Sequence, residues 1–289
     1  MTTDEHRTRE LPPTGTRDSP ASLREIAEEA ALLAGAYLQG VFRQGMQIEY
    51  KCDRHDLVTV HDRTAEDLIV PFLLEHGPDW RIVGEEGGVR EGNSEVTWFI
   101  DPIDCTSNFA QGLAFFCVAI GVEIAGELAA GVVYDPIAGN LFSADDAGAY
   151  LNGSPLVTPA PQPDGAATLI TGYPTANDLQ LDGPAAFEDL GELIAAFSSL
   201  RRTGSGALTL AHVAAGWTDC AFGGSVNPWD VAGGALIVRR AGGSYRPLWL
   251  RGTDGGVGAH HAPAFVAAGP GAAYPALESF VQRISARRA

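Results

Sequence analysis

An apolar stretch in the first half of the chain ends abruptly in two carboxylates, where residues 98–109 read WFIDPIDCTSNF. Asp101 and Asp104 would lie at the end of a buried strand, and an isolated buried carboxylate costs several kcal/mol or takes up a proton. A bound cation removes this cost, and hard divalent ions such as Mg2+ prefer carboxylate and carbonyl oxygen. The segment therefore predicts a metal-dependent enzyme.

Other carboxylates stand where predicted segments begin or end, at Glu85, Glu86, Asp62 and Asp230. Any one of them could be a solvated turn residue, and Asp230 could simply cap a helix, a common role for aspartate. Several acidic segment ends that converge are harder to explain in this way. Because two cations held close together by carboxylates are a recurrent arrangement for in-line phosphoryl displacement, phosphoryl chemistry is the leading hypothesis.

Two short segments could offer backbone N–H groups to a phosphate. Residues 105–107, CTS, follow Asp104 where a helix is expected to begin, and a helix N-terminus suits an anion. Residues 202–206, RTGSG, approach a second predicted helix in the same way. For the second segment a plain helix-entry turn is the simpler interpretation.

Apolar spacing predicts the elements that position these groups. Residues 22–42 carry apolar side chains at helical spacing, and a second helix should begin near Asp62, with a kink or break at Pro71. Strands are expected at residues 81–83, 96–100, 115–124, 128–134 and 141–144.

The Pro-rich stretch at residues 158–165, TPAPQPDG, is the clearest boundary signal in the chain. Strands followed by helices on both sides of it predict a layered α/β architecture. Beyond it we expect strands at residues 168–171 and 264–268, and helices at residues 185–197, 205–216, 230–241 and 275–287. We expect a disordered tail over residues 1–20, an N-terminal domain over residues 21–157 with most of the metal site, and a C-terminal domain over residues 166–289 that supplies Asp230.

Composition and charge argue against several classes of function. The net charge of −17 disfavours a nucleic-acid-binding surface, which would need a basic stripe. It does not forbid a phosphorylated small substrate, because bound cations can invert the local field. No apolar run reaches the length of a membrane span, and residues 1–20 lack the apolar segment of a signal peptide. Four cysteines without zinc-type spacing indicate reduced thiols, so we expect a cytoplasmic protein.

Five motifs, in order along the chain, resemble those of the inositol monophosphatase family of Mg2+-dependent, lithium-sensitive phosphatases. Residues 51–62, KCDRHDLVTVHD, are similar to a family pattern that runs from Lys through Leu-Val-Thr to Asp. Residues 84–86 read GEE, and residues 101–109 read DPIDCTSNF, which follows the family pattern except at Cys105. The remaining two motifs are RRTGSGA at residues 201–207 and WDVAGGALIVRRAGG at residues 229–243.

The resemblance implies a layered α-β-α-β-α sandwich of the inositol monophosphatase and fructose-1,6-bisphosphatase type. It implies a Mg2+-dependent phosphate monoester hydrolase that acts on a small phosphorylated polyol, such as an inositol, cyclitol or sugar phosphate. Histidinol phosphate, fructose bisphosphate and bisphosphate nucleotides are alternative substrates within the superfamily. A non-catalytic sugar-phosphate-binding homologue is the alternative of another class. A homodimer is expected, without nucleic-acid or membrane partners.

The resemblance also assigns the ligands of two or three Mg2+ ions. Glu85, Asp101 and the Ile103 carbonyl would hold the first ion. Asp101, Asp104 and Asp230 would hold the second. A third, weaker ion would involve Glu85 and water.

Catalysis and substrate binding follow from the same resemblance. Asp62 and Thr106 would orient and deprotonate the water that attacks phosphorus in line with the ester oxygen, and Glu85 would take part through its ion. The residues implied in substrate binding are Lys51, Asp104, Cys105, Thr106, Ser205, Gly206 and Gly223.

Two positions depart from the family pattern. Cys105 replaces a Gly, and we expect it to be a tolerated small residue. At positive φ its side chain would crowd the site, whereas at an ordinary φ it costs little. A helix N-terminus would lower the pKa of its thiol and make it sensitive to oxidation. Gly223 replaces a Glu that hydrogen-bonds the ring in inositol-specific members. Because losing such a partner changes selectivity by orders of magnitude, the substrate stays open.

Remaining residues of chemical interest have structural interpretations. His260 and His261 lie in a Gly-rich stretch and are expected at the surface rather than in a metal site. His55 and His61 are expected to be exposed, and Cys117 is expected in the core.

Overall fold

The computed structural model describes residues 17–44, 48–50, 57–250 and 256–288. Its helices are α1 (Pro20–Val41), α2 (Val60–His76), α3 (Thr106–Gln111), α4 (Ala176–Asp182), α5 (Ala185–Ala196), α6 (Gly206–Ala214), α7 (Pro228–Arg240) and α8 (Pro275–Arg287). Its strands are β1 (Ile48–Tyr50), β2 (Leu57–Thr59), β3 (Arg81–Gly84), β4 (Gly88–Arg90), β5 (Val96–Asp104), β6 (Cys117–Ile124), β7 (Glu127–Asp135), β8 (Asn140–Ala144), β9 (Ala149–Leu151), β10 (Ser154–Pro155), β11 (Thr168–Thr171), β12 (Ser199–Arg201), β13 (Cys220–Gly224), β14 (Ser244–Leu248) and β15 (Ala264–Ala268).

Two large sheets organise the described chain. The first has the strand order β10-β9-β8-β7-β6-β5-β3-β4 and is antiparallel except between β3 and β5. The second has the order β12-β11-β13-β15-β14, with β11 parallel to both β12 and β13. The segment at residues 156–167, which includes the Pro-rich stretch, connects one sheet to the other.

Helices cover both sheets in layers. The apolar side chains of α1 and α2 pack on one face of the first sheet. Helices α6 and α7 lie between the two sheets and share a core with both. Helices α5 and α8 cover the outer face of the second sheet. The order is helix, sheet, helix, sheet, helix, so the predicted layered sandwich is confirmed.

Helix α7 approaches the first sheet closely through glycines. A Cβ at Gly233 would lie 2.6 Å from the carbonyl oxygen of Ile120, and a Cβ at Gly131 would lie 2.7 Å from the Gly233 carbonyl oxygen. Only glycine allows this approach. It fixes the start of α7, and therefore Asp230, against the end of β5.

Some boundaries differ from expectation. Pro71 does not break α2. Proline has no N–H to donate to the Asp67 carbonyl one turn earlier, but both residues are exposed, so water can hydrogen-bond this carbonyl instead. Residues 17–20 are ordered rather than part of a tail, since Ser19 caps α1 and Arg17 is buried against Asp18 and Asp79. Residues 1–16 lie outside the described residues. None of the described helices is both long enough and apolar enough to span a bilayer.

Candidate active site

Five residues with carboxylate side chains line one cavity of about 940 Å3, which we call the carboxylate cavity, and four of them come from three segments whose ends meet there. Glu85 follows β3, and Asp230 lies in the first turn of α7. Asp101 and Asp104 lie in the last residues of β5. The structure therefore brings together acids from the three segment ends that the sequence predicts to converge, but Glu86 is not among the residues that line the cavity.

The end of β5 is longer and less regular than predicted. The strand continues through the Asp-Pro-Ile-Asp residues, with a register shift against β6 between Asp101 and Asp104. The Ile103 amide donates a hydrogen bond to Asp101 Oδ1 over 3.0 Å. A bulge re-aims side chains locally, which allows the two carboxylates to reach the same cavity.

Asp104 receives most of its hydrogen bonds from the N-terminus of α6. Its Oδ2 accepts from Ser205 Oγ at 2.5 Å and from the Ala207 amide at 2.6 Å, and its Oδ1 accepts from the Gly206 amide at 3.3 Å. Cys117 Sγ lies 3.6 Å from Oδ2, so this buried core thiol also contacts the site. The donors of Ser205 and Gly206 are directed at Asp104, although both residues line the cavity.

Asp62 lies fully buried beside the cavity, in the first turn of α2. Its Oδ2 accepts from the Thr59 amide and hydroxyl, each at 2.7 Å, in the capping box that begins this helix. Its Oδ1 accepts from Thr106 Oγ1 at 2.7 Å. Since Thr106 donates its hydroxyl proton to a hydrogen bond with Asp62, its oxygen is free to accept a hydrogen bond from a molecule in the cavity.

Burial raises the pKa of these carboxyls. The pKa of Asp101 is raised well above its usual value by burial and then by the charges of Glu85, Asp104 and Asp230. The pKa of Asp230 is raised to about 8, first by burial and then by the charge of Asp104. Burial also raises the pKa of Asp62 and of Asp104, although hydrogen bonds oppose it. The protein thus concentrates negative charge that it does not fully compensate.

Cys105 adopts a left-handed backbone conformation, with φ of +78° and ψ of 61°. Of the two alternatives, the positive φ is the one observed, and the residue occupies a conformation that favours glycine. Its sulfur fills the space beside Gly204, where a Cβ would lie 2.6 Å from Sγ. Burial raises the pKa of the thiol, which contradicts the expected lowering at a helix N-terminus.

Gly223 lines the cavity at the end of β13. A Cβ at this position would overlap the ring of Phe265, its partner on the neighbouring strand β15. Phe265 therefore takes the space into which a longer side chain would extend. Nothing in the sequence motifs indicates this role for Phe265.

Sequence reasoning also missed Asn108, which joins the two halves of the site. Its Nδ2 donates to the carbonyl oxygens of Phe115 and Thr203, each at 2.7 Å. Asn108 belongs to the 101–109 motif, so the signal was present. Lys51 and His55 lie outside the described residues.

Two expectations about histidines are wrong. His260 is buried, with 1% of its surface exposed, and its ring bonds to Glu123. His61 is half-buried, and its Nδ1 lies 2.6 Å from the Tyr37 hydroxyl. In both cases a nearby polar partner satisfies the ring, so burial is possible.

Comparisons with known proteins give matches by sequence and by fold. The sequence profile of the inositol monophosphatase family matches residues 19–277. Inositol monophosphatase 3 of Solanum lycopersicum is 40% identical over 228 residues, which cover 76% of this chain and 83% of the relative. The structure of extragenic suppressor protein suhB from Bartonella henselae is 29% identical, with a TM-score of 0.79, and the match covers 91% of this chain and 98% of that chain.

A third relative is inositol monophosphatase-II of Staphylococcus aureus, solved with inositol monophosphate bound. It is 26% identical, with a TM-score of 0.70 and coverage of 92% of this chain and 93% of that chain. The predicted enzyme class, a phosphoric monoester hydrolase, is confirmed by these matches. By its sequence and its fold, the chain belongs to the inositol monophosphatase family.

Proposed function

We propose that this protein is a Mg2+-dependent phosphatase that hydrolyses a small phosphorylated polyol. The observation that carries the proposal is the carboxylate cavity, where burial raises the pKa of Asp101, Asp104 and Asp230, and neighbouring negative charges raise the pKa of Asp101 and Asp230 further. Such a cluster is unfavourable when ionised and empty, and a divalent cation removes the repulsion. All its donors are oxygen atoms, which suit Mg2+ rather than a softer metal.

Five residues would hold the two or three cations: Glu85, Asp101, Ile103 through its carbonyl, Asp104 and Asp230. Asp104 already accepts two short hydrogen bonds at Oδ2, but only the 3.3 Å contact at Oδ1. A carboxylate has about four lone-pair sites, so Oδ1 remains able to bind a cation. When bound, the cations would neutralise phosphate charge and acidify water.

The chain's own residues would then move one proton. Thr106 Oγ1 accepts the proton of the attacking water while its own proton passes to Asp62 Oδ1, 2.7 Å away. Because burial raises the pKa of Asp62, its carboxylate is a better proton acceptor than an exposed one. The water oxygen forms the new bond to phosphorus, and the ester oxygen leaves on the opposite side. The amides of Cys105 and Thr106 would orient the phosphate.

The leaving group would face the C-terminal half of the chain, residues 166–289, which supplies Asp230 and Gly223. Phe265 closes the space beside Gly223, so this wall offers no carboxylate to a ring hydroxyl. We therefore propose an inositol, cyclitol or sugar phosphate as substrate, without strong selectivity for inositol. We also propose that the protein acts as a cytoplasmic homodimer, as expected from the resemblance.

A phosphate-release screen tests the proposal. We would measure inorganic phosphate from inositol, sugar, histidinol and nucleotide monophosphates, with Mg2+ and with EDTA. Turnover of polyol phosphates that disappears with EDTA and returns with Mg2+ is expected. Equal turnover in EDTA and in Mg2+ would show that the reaction does not require a metal ion. A strong preference for inositol phosphate would show that a residue other than Gly223 recognises the inositol ring.

A further inference from the structure

A second cluster of ligand-type side chains lies away from the carboxylate cavity. Glu123, near the end of β6, faces His260 and His261 of the short helical turn before β15. His260 Nε2 lies 3.0 Å from Glu123 Oε2, and His261 Nε2 lies 3.9 Å from the same oxygen. Each of these residues offers one ligand atom, a carboxylate oxygen from Glu123 and one imidazole nitrogen from each histidine, and these three atoms lie within 4.8 Å of one another.

Neighbouring residues fix the orientation of this cluster, which we call the His–Glu cluster. The ring of Phe99 meets both imidazoles edge-on, with centroid distances of 5.0 and 5.6 Å. Thr97, paired with Glu123 across β5 and β6, hydrogen-bonds the carboxylate. Such outer contacts are what hold metal ligands in place.

The backbone also leaves room for the buried imidazole. A Cβ at Gly258 would lie 2.6 Å from His260 Cε1, so only glycine permits this packing. His260 is 1% exposed, Glu123 14% and His261 32%. The cluster therefore has a buried side and a side that is open to solvent.

We propose that the His–Glu cluster is a second metal site, for a borderline cation such as Zn2+. Two imidazoles and one carboxylate with an open position are a donor set that suits Zn2+, whereas Mg2+ prefers oxygen alone. Zinc bonds of about 2.0–2.1 Å place ligand atoms about 3.4 Å apart in a tetrahedron, and the separations of 3.0 and 3.9 Å between Glu123 Oε2 and the two imidazole nitrogens lie on either side of this value. The cation takes the place of the proton that His260 Nε2 directs at Glu123, and that proton passes to solvent.

The cluster is separate from the carboxylate cavity. Glu123 pairs with Thr97, whereas Asp101 pairs with Ala119, so the two sites lie four residues apart along the strands. At the rise of a strand this is about 13 Å. Burial and the positive charges of His260 and Arg81 lower the pKa of His261. The Arg81 guanidinium is paired with Glu91 at 3.2 Å, and this pairing reduces its repulsion toward a bound metal.

Calorimetric titration with Zn2+ alone, in a background of millimolar Mg2+, tests the site on the whole protein. Wild type should bind one more Zn2+ than the His261→Gln variant, and removal of this ligand should weaken that binding event by at least about 100-fold. Since His261 is one-third exposed, its substitution should leave the fold intact. His76→Gln, which removes a histidine that contacts Phe72, is the matched control and should bind like wild type.

A second measurement on the wild type does not depend on any variant folding. In 15N-histidine spectra, Zn2+ should shift the imidazole nitrogens of His260 and His261. Unchanged resonances for both, or equal Zn2+ stoichiometry and affinity in wild type and His261→Gln, would show that the cluster is only a buried hydrogen-bonded pair. Both readouts are independent of phosphate release, so failure here leaves the proposed phosphatase function unaffected.

Discussion

Two groups of buried aspartates in this molecule differ in what compensates them. The carboxylate cavity gathers aspartates whose neighbours are other carboxylates, and their pKa values are raised. The other group, which we call the arginine-paired cluster, joins α4, α5 and α8 and comprises Asp178, Asp182, Asp189, Arg283, Arg287 and Arg288. There Arg288 lies 2.7 Å from Asp178, which also lines the carboxylate cavity, and 2.6 Å from Asp182.

The pKa of Asp182 in the arginine-paired cluster moves in the opposite direction to the pKa values of Asp101 and Asp230, for a physical reason. Burial alone raises the pKa of Asp182, but hydrogen bonds from Arg288 and Tyr173 outweigh it, so the pKa is lowered. At the carboxylate cavity, burial and like charges act together. The fold therefore uses arginine where acids hold helices together, and leaves acids uncompensated where we propose that a cation binds.

The largest effect should come from removing one cavity carboxylate. Asp230→Asn keeps an oxygen that can accept from the Asn227 amide, now 2.7 Å away, but removes the charge. Phosphate release in Mg2+ should fall by at least about 100-fold, as when a preorganised charge partner is lost at a transition state. Steady-state phosphate assays at saturating Mg2+ measure this.

The matched control lies in the arginine-paired cluster. Asp189→Asn removes a buried aspartate that bonds Arg283 and Arg287, so the free energy of unfolding should fall while turnover per folded molecule is kept. Asp104→Asn is a less clean test, because Asp104 also accepts the α6 amides. If Asp230→Asn kept wild-type turnover, the cavity would not be the cation site.

The second effect is a dependence of stability on pH that has opposite signs at Asp230 and Asp182. In metal-free protein the raised pKa of Asp230, about 8, means that the folded state holds a proton that the unfolded state has lost. Stability should therefore fall as pH rises from about 5 to 8, by up to about 1.4 kcal/mol per pH unit for one group. Asp182 has a lowered pKa, so it stabilises the folded state at pH values above its pKa in the unfolded chain. This contribution is lost as the pH falls through the pKa of Asp182 in the folded state.

Melting temperatures at several pH values, with EDTA and with Mg2+, would measure this dependence. Mg2+ should raise the melting temperature most at pH 8, because it binds the ionised carboxylates. In EDTA, Asp230→Asn should be more stable than wild type at pH 8. A metal-free melting temperature that rises steadily from pH 5 to 8 would contradict the comparison.

The sequence predicts the cavity acids well and the arginine-paired cluster hardly at all. Acids at the ends of apolar segments converge because strand ends and helix starts meet at one edge of the first sheet. The spacing of apolar residues along the sequence is enough to locate these segment ends. Pairing between Asp182 and Arg288 spans the chain, and no local pattern indicates it. The short strand β13 and the burial of His260 were missed because tertiary contacts, not periodicity, decide them.

A smaller effect concerns the wall beside Gly223. Gly223→Ala should reduce the free energy of unfolding by about 1–3 kcal/mol, because its Cβ overlaps the Phe265 ring. Adding Phe265→Leu should recover part of this loss, giving a coupling energy in a double-mutant cycle measured by urea unfolding. Additive losses would mean that the two positions do not share this space. Ala186→Gly in α5 changes a buried position outside the cavity and serves for comparison.

The smallest expected effect is at Cys105, where the cavity depends on a left-handed backbone. A non-glycine residue in this conformation costs about 1–2 kcal/mol, while glycine loses about 0.5–1 kcal/mol more entropy on folding. Cys105→Gly should therefore change stability by about 1 kcal/mol or less, and should keep or raise phosphate release. Ala125 has a φ of +51° in the exposed β6–β7 turn, so Ala125→Gly is the matched control. It should relieve the same kind of backbone strain without a change in phosphate release. Complete loss of turnover in Cys105→Gly alone would instead assign the thiol a specific role, because backbone relief cannot remove activity.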